Sequence, residues 1–218
     1  MKVKTFCKPE SIYVEWNEDG AATIERKAYG DNVWSFLRQT YNQYFDDKTV
    51  EYGKAYQYRV TVYPTPLTPI VKESRWSWCI DGVTRWGAVY DLYSSQLNTS
   101  ANAPLLMARI YDTGCGDELL ADDVTSIQRQ ISLIMCNDVV SNPQTMVIED
   151  WTEIEKTKAL TSNLIITPEW TIDNYGYNFR MTLDPKTIPN TTGTYLIQVI
   201  LTVNNTPITL RWIIENTL

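Results

Sequence analysis

Histidine is absent from this chain of 218 residues, which removes the commonest general base and the commonest transition-metal ligand together. Ser-His-Asp and Cys-His nucleophile systems are excluded with it. No apolar run approaches the roughly 18 residues of a membrane-spanning helix. No P-loop is present, and Gly114-x-Gly116 lacks a third glycine and a following helix, so it reads as a turn. The cysteines number only four (Cys7, Cys79, Cys115, Cys136), far apart and without a C-x-x-C pair. In a reducing compartment they are expected to be free, mostly buried thiols, and a zinc site would need several of them to converge. Lys2, Lys4 and Lys8 are followed by no apolar stretch, so a secretory leader is not expected and the chain is expected to stay in a cytoplasm until it assembles.

An excess of positive charge is also missing. Nineteen Lys and Arg stand against 26 Asp and Glu, a net charge of −7. Residues 1–63 hold nine of each sign and residues 64–104 three of each, while residues 105–218 hold seven basic against fourteen acidic. A neutral half joined to an acidic half fits neither nucleic acid nor an anionic membrane surface, and leaves protein as the expected partner. The acidic pairs Asp46-Asp47, Asp122-Asp123 and Glu149-Asp150 have oxygen-ligand chemistry but no EF-hand spacing. They fall in expected turns, where carboxylates cap backbone amides. No catalytic residue, cofactor or metal site is assigned, and the chain is read as non-enzymatic, with calcium in the acidic half left as an open alternative.

What is abundant is aromatic. Eight Trp and fourteen Tyr, with many β-branched residues, favour strands. Ile12-Tyr13-Val14-Glu15-Trp16 alternates, a turn follows at Asn17–Gly20, and Thr23–Tyr29 makes another strand. Trp34–Leu37 and Tyr41–Phe45 read as short edge pieces. Tyr56 to Val62 is apolar at every even position, the pattern of a half-buried antiparallel strand. The order Val14-x-Trp16, Tyr29, Gly53-x-x-Tyr56-x-Tyr58-Arg59-Val60-x-Val62 resembles a fibronectin type III domain over about residues 8–63. The resemblance implies a core Trp16 and a tyrosine corner at Tyr56, whose hydroxyl bonds upstream backbone. Its closing strand does not follow directly: Pro64, Pro66 and Pro69 intervene, so that strand is expected from Ile70–Trp78 or from a partner chain.

Ser74–Ile80, Asp81-Gly82 and Val83–Tyr90 read as a hairpin about the Asp-Gly turn. The alternative is a helix from Val83 to Leu97, on which Trp86, Tyr90, Tyr93 and Leu97 share a face. Trp76, Trp78, Trp86 and Tyr90 are the candidate protein-interaction residues. They either plug a seam between modules or form an exposed aromatic ridge of the kind found at binding hot spots.

After a loop at 98–104, strands are expected at Leu105–Tyr111 and at Ser126–Cys136, the latter with Ile127, Ile131, Leu133 and Met135 in register. A turn at Gly114–Asp117 separates them, and Tyr177–Met181 alternates again. Tyr195, Ile197, Val199, Leu201 and Val203 share one face and turn at Asn204-Asn205. Ile208, Leu210, Trp212 and Ile214 share the return face, with Trp212 in the core. The strings Asp122–Ile127, Trp170–Arg180 and Gly193-Thr194-Tyr195 are similar to small Ig-like modules of phage and prophage structural proteins, over about residues 105–218.

The expected architecture is therefore all-β. It has two tandem immunoglobulin/fibronectin-like β-sandwich modules at 1–63 and 105–218, joined by a Pro- and Trp-rich segment at 64–104. The resemblances imply a phage virion protein, in first place a capsid decoration or cement protein. Its partners would be the major capsid protein or other virion proteins, or a further copy of itself. A neck, tail-adaptor, baseplate or fibre part, and a carbohydrate-binding adhesion module, are the alternatives.

Overall fold

A computed structural model describes residues 1–64, 68–80, 85–93, 103–135, 144–188 and 192–216. The chain is nearly all strand and forms two units, Met1–Gly82 and Val83–Leu218. The division falls within the segment 64–104 that was expected to join the two modules. Among the described residues of the Pro- and Trp-rich segment, Ile70–Glu73 pairs within unit 1 and Trp86–Tyr93 within unit 2.

In unit 1, β1 (Val3–Lys8), β2 (Ser11–Trp16) and β5 (Tyr44–Asp47) form one antiparallel sheet. The second sheet has the order β4 (Ser35–Thr40), β3 (Ala21–Ala28), β6 (Tyr56–Tyr63), β7 (Ile70–Glu73). Alternation dictates which side chains face inward. Ile12, Val14 and Trp16 of β2 meet Ala22 and Ile24 of β3 and Tyr56, Tyr58, Val60 and Val62 of β6 in one buried cluster. The missing last strand is β7, which pairs Val60 with Lys72 and Val62 with Ile70, so the chain closes its own sandwich. The Tyr56 hydroxyl accepts a 3.1 Å hydrogen bond from the Glu51 amide five residues upstream, the geometry of a tyrosine corner.

Unit 2 repeats this wiring with one strand more. β8 (Trp86–Tyr93), β9 (Leu105–Asp112), β13 (Tyr177–Thr182) and β12 (Leu160–Ile165) form one sheet. The other has the order β11 (Gln144–Glu153), β10 (Val124–Met135), β14 (Gly193–Val203), β15 (Thr206–Asn216). The two sheets meet at Trp212, whose ring stacks on Phe179 at 5.8 Å and meets Tyr90 edge-on at 5.4 Å. Asn204 and Asn205 turn the β14–β15 hairpin at φ 48° and 64°, the left-handed conformation a two-residue hairpin requires.

Two local expectations change. Trp86–Tyr93 is a strand, not a helix, and it pairs with β9. Ser77 and Ile80 instead bridge to Tyr56 and Pro9, so the expected hairpin is replaced by these pairings; its Asp81-Gly82 turn lies outside the described residues, as do the 98–102 part of the expected loop and Cys136. In β10 the alternation switches phase. Ile127 and Ile131 are buried and so is Ile134, while Met135 is 39% exposed and Leu133 only half-buried. Irregular pairing with β11 on both sides of Ile131 marks a bulge, which turns the following residues to opposite faces.

Candidate interaction surface

The outward face of the four-stranded sheet of unit 1 carries an aromatic and cationic array. Inward alternation of Ile24 and Val60 forces Glu25 and Arg59 outward, and the register aligns Phe36, Glu25, Arg59 and Glu73 as one row across all four strands. The Arg59 Nε donates to Glu25 at 2.7 Å, and its guanidinium lies over the Trp34 ring at 4.6 Å. In the next row, the Lys27 ammonium sits 4.7 Å from the Trp34 centroid and 5.5 Å from that of Trp76. Trp76 meets Tyr29 edge-on at 5.1 Å. Phe36 and Val33 beside this array are 65% and 73% exposed, and Val71 on the opposite edge strand 50%. Cation–π contacts set these cations against the ring faces.

Of the four candidate interaction residues, only Trp76 belongs to this face, and it is half-buried. Trp78 is 4% exposed in unit 1, and Trp86 and Tyr90 are each 8% exposed in unit 2. They are not an exposed ridge, because strand pairing of β8 and packing of Tyr90 on Trp212 draw them inside. Trp16 and Trp212 are 2% and 4% exposed. Trp34, Phe36, Lys27 and Arg59 were not singled out from the sequence. The legible signal was that Lys27 and Arg59 hold odd, outward positions of alternating strands.

Within the Trp170–Arg180 string, residues 170–176 form a stapled loop ahead of β13. The Asp173 carboxylate accepts the Trp170 indole N–H at 3.1 Å and the amides of Tyr175 and Gly176 at 2.9 and 3.3 Å, and pairs with Arg109 at 2.9 Å. Thr171 donates from its amide and hydroxyl to buried Asp91 at 2.6 and 3.0 Å. A Cβ on Gly176, at φ +96°, would lie 2.4 Å from the Ile165 carbonyl oxygen, so the position admits glycine alone. Burial would raise the Asp173 pKa, but the Trp170, Tyr175 and Arg109 contacts outweigh it and hold it below the ordinary carboxylate value. A depressed folded-state pKa contributes stability that is present above about pH 4 and lost as pH falls through the folded value. Urea midpoints of wild type and Asp173→Asn should therefore differ at pH 7 and converge below about pH 4. An unchanged gap down to pH 2 would refute this assignment.

The acidic pairs serve structure as well. Asp123 accepts the Leu120 amide, Glu149 pairs with Arg129, and Asp150 accepts the Trp151 amide. Among the described residues, no group of three or more acidic or cysteine side chains is placed to hold a metal ion, and no helix is long and apolar enough to cross a membrane.

No family model matches the chain. No curated protein matches it either. Among solved structures it is similar to a segment of two fibronectin type III domains from chicken tenascin, at 9% identity and a TM-score of 0.30, over 99% of this chain and 98% of that one. The fibronectin- and Ig-like character of the units rests on their strand order, in which strands one, two and five of unit 1 form one sheet and strands four, three, six and seven the other.

Proposed function

We propose that this chain is a non-enzymatic structural protein that binds other proteins through the outer face of the four-stranded sheet of unit 1. Within that reading it is a capsid decoration or cement protein of a phage particle, gripping the major capsid protein after assembly in the host cytoplasm. The observation that carries the docking surface is the array of Trp34, Lys27, Trp76 and Arg59 with Phe36 and Val33 exposed beside it. Aromatic and arginine side chains on one face have the composition of interface hot spots. The phage context is supported by the likeness of the Trp170–Arg180 and Gly193–Tyr195 strings to Ig-like modules of virion proteins. Sugar stacking is disfavoured, since the Trp34 and Trp76 rings already carry cations.

Purified protein should bind expanded capsid shells at micromolar concentration or below. Phe36→Asp, at a 65% exposed site, should weaken that binding at least about tenfold while leaving the melting temperature unchanged. No wild-type binding would sink the capsid assignment, and unaltered binding by the variant would sink the docking face. Binding to neck, tail or baseplate assemblies instead would move the protein to those sites. Hits on a glycan array would favour an adhesion module.

A further inference from the structure

We propose that Trp34 and Trp76 form a clamp for an alkylammonium group, which Lys27 fills as a stand-in until a partner's cation takes its place. Resting on the reading of this face as the docking surface, the clamp names what its partner brings: a lysine-type alkylammonium side chain. Trp34 precedes β4 and Trp76 follows β7, the two edge strands of the sheet. Both indoles reach one side chain of the interior strand β3. The Lys27 ammonium lies 4.7 Å from the Trp34 centroid and 5.5 Å from that of Trp76. Both distances are within the roughly 6 Å over which an indole face attracts a cation. Tyr29 adds a third ring, edge-on to Trp76 at 5.1 Å. Lys27, Trp34 and Trp76 are each half-buried, so each keeps part of its surface in solvent.

Lys27 differs from Arg59, the other cation on Trp34, in how its charge is balanced. Arg59 is neutralised by Glu25 at 2.7 Å. Among the described residues, Lys27 has no carboxylate partner and no hydrogen bond, and its ammonium meets the two indoles alone. Two exposed cation–π contacts shift an equilibrium by only about five- to thirtyfold, so the flexible lysine stem can give up the clamp. An ammonium that carries methyl groups has the advantage in this exchange. It is more weakly hydrated than the primary ammonium and presents apolar methyls to the rings, as in aromatic cages for quaternary ammonium ligands. Anions are unsuited, because the faces of aromatic rings are negative. Lys27 competes at the high effective concentration of a tethered group. A partner that also covers Phe36 and Val33, 65% and 73% exposed, is therefore favoured over a lone cation.

The test titrates the full chain with tetramethylammonium chloride, against sodium chloride at equal concentration, and follows the indole N–H signals of Trp34 and Trp76. Lys27→Ala, or Lys27→Ser if the alanine variant misfolds, empties the clamp and should show saturable shifts. Wild type should bind about five- to thirtyfold more weakly. Adding Trp34→Leu or Trp76→Leu to the Lys27 variant should abolish saturation. Folded Lys27→Ala without a saturable shift overturns the clamp and leaves the docking face standing. Nα-acetyl-trimethyllysine amide should bind more tightly than choline, and the reverse order would overturn a protein side chain as the source. Lys27→Ala should also bind expanded capsid shells more tightly than wild type, by up to the same factor. Weaker shell binding would make Lys27 itself a contact and overturn the exchange, whereas failure of wild type and variant alike would count against the docking face.

Discussion

Replacing Asp47 with alanine is expected to destabilise unit 1 by about 3–5 kcal/mol, the scale set by removing one partner of a buried ion pair. Asp47, at the end of β5, is 1% exposed. It accepts from the Arg26 guanidinium at 2.7 Å, the Tyr58 hydroxyl at 2.9 Å, and the Thr49 amide and hydroxyl at 2.9 and 2.7 Å. β5 lies in one sheet while Arg26 and Tyr58 lie in the other, so this carboxylate ties the sandwich together. Burial alone would lower the Arg26 pKa, but Asp47 reverses the sign and raises it. Burial, and then the Asp47 charge, push the Tyr58 hydroxyl far above its ordinary value, so it remains a donor. Alanine would strand a charged guanidinium and a buried hydroxyl together. Tyr58→Phe removes one donor and leaves the ion pair intact, so it should cost only about 1–2 kcal/mol. Hydrogen exchange read peptide by peptide separates the two units. Protection lost across β3 and β6 but retained in β10 and β14 is the expected pattern, and equal stability of Asp47→Ala and wild type would refute it.

The corresponding polar clamp of unit 2 is Asn178, and Asn178→Ala should cost that unit about 3 kcal/mol. Asn178 is 1% exposed. Its Oδ1 accepts the Ile110 amide at 2.8 Å, and its Nδ2 donates to the Ile110 and Leu119 carbonyls, both at 2.9 Å. One side chain thereby satisfies three backbone groups on β9 and on the segment leading to β10. Removing it leaves the Ile110 amide and the Leu119 carbonyl without this partner, while the Ile110 carbonyl keeps the Leu119 amide at 3.0 Å, and buried groups left unpaired cost more than the hydrogen bonds contributed net. Exposed Asn163→Ala serves as the control and should shift stability by no more than about 0.5 kcal/mol. Chemical denaturation of both variants, followed by exchange at Ile110, measures the difference. Comparable midpoints would mean that water replaces the amide without loss.

Unit 1 was the more legible half because its strands obey strict alternation: Ile12, Val14 and Trp16, and Tyr56, Tyr58, Val60 and Val62, are inward as the spacing requires. The hairpin at Asn204-Asn205 was equally plain, since positive φ at two successive positions suits few residues. β11 and β12 were not, because Gln144–Glu153 runs Met146-Val147-Ile148 without alternation on a sheet edge and Leu160–Ile165 interrupts its apolar residues with Thr161-Ser162-Asn163. Neither presents a period to read.

By itself, the sequence determined an all-β chain of two sandwiches, the inward faces of its regular strands and the exclusion of histidine chemistry, all of which depend on local spacing and composition. Tertiary structure alone decided that β7 closes unit 1 and that the Trp-rich segment divides between the units. It also decided that Trp34, Lys27, Trp76 and Arg59 meet on one face, and that Ile80 bridges to Pro9. These are pairings between residues far apart in the chain, and strand register, which no local pattern encodes, brings them together.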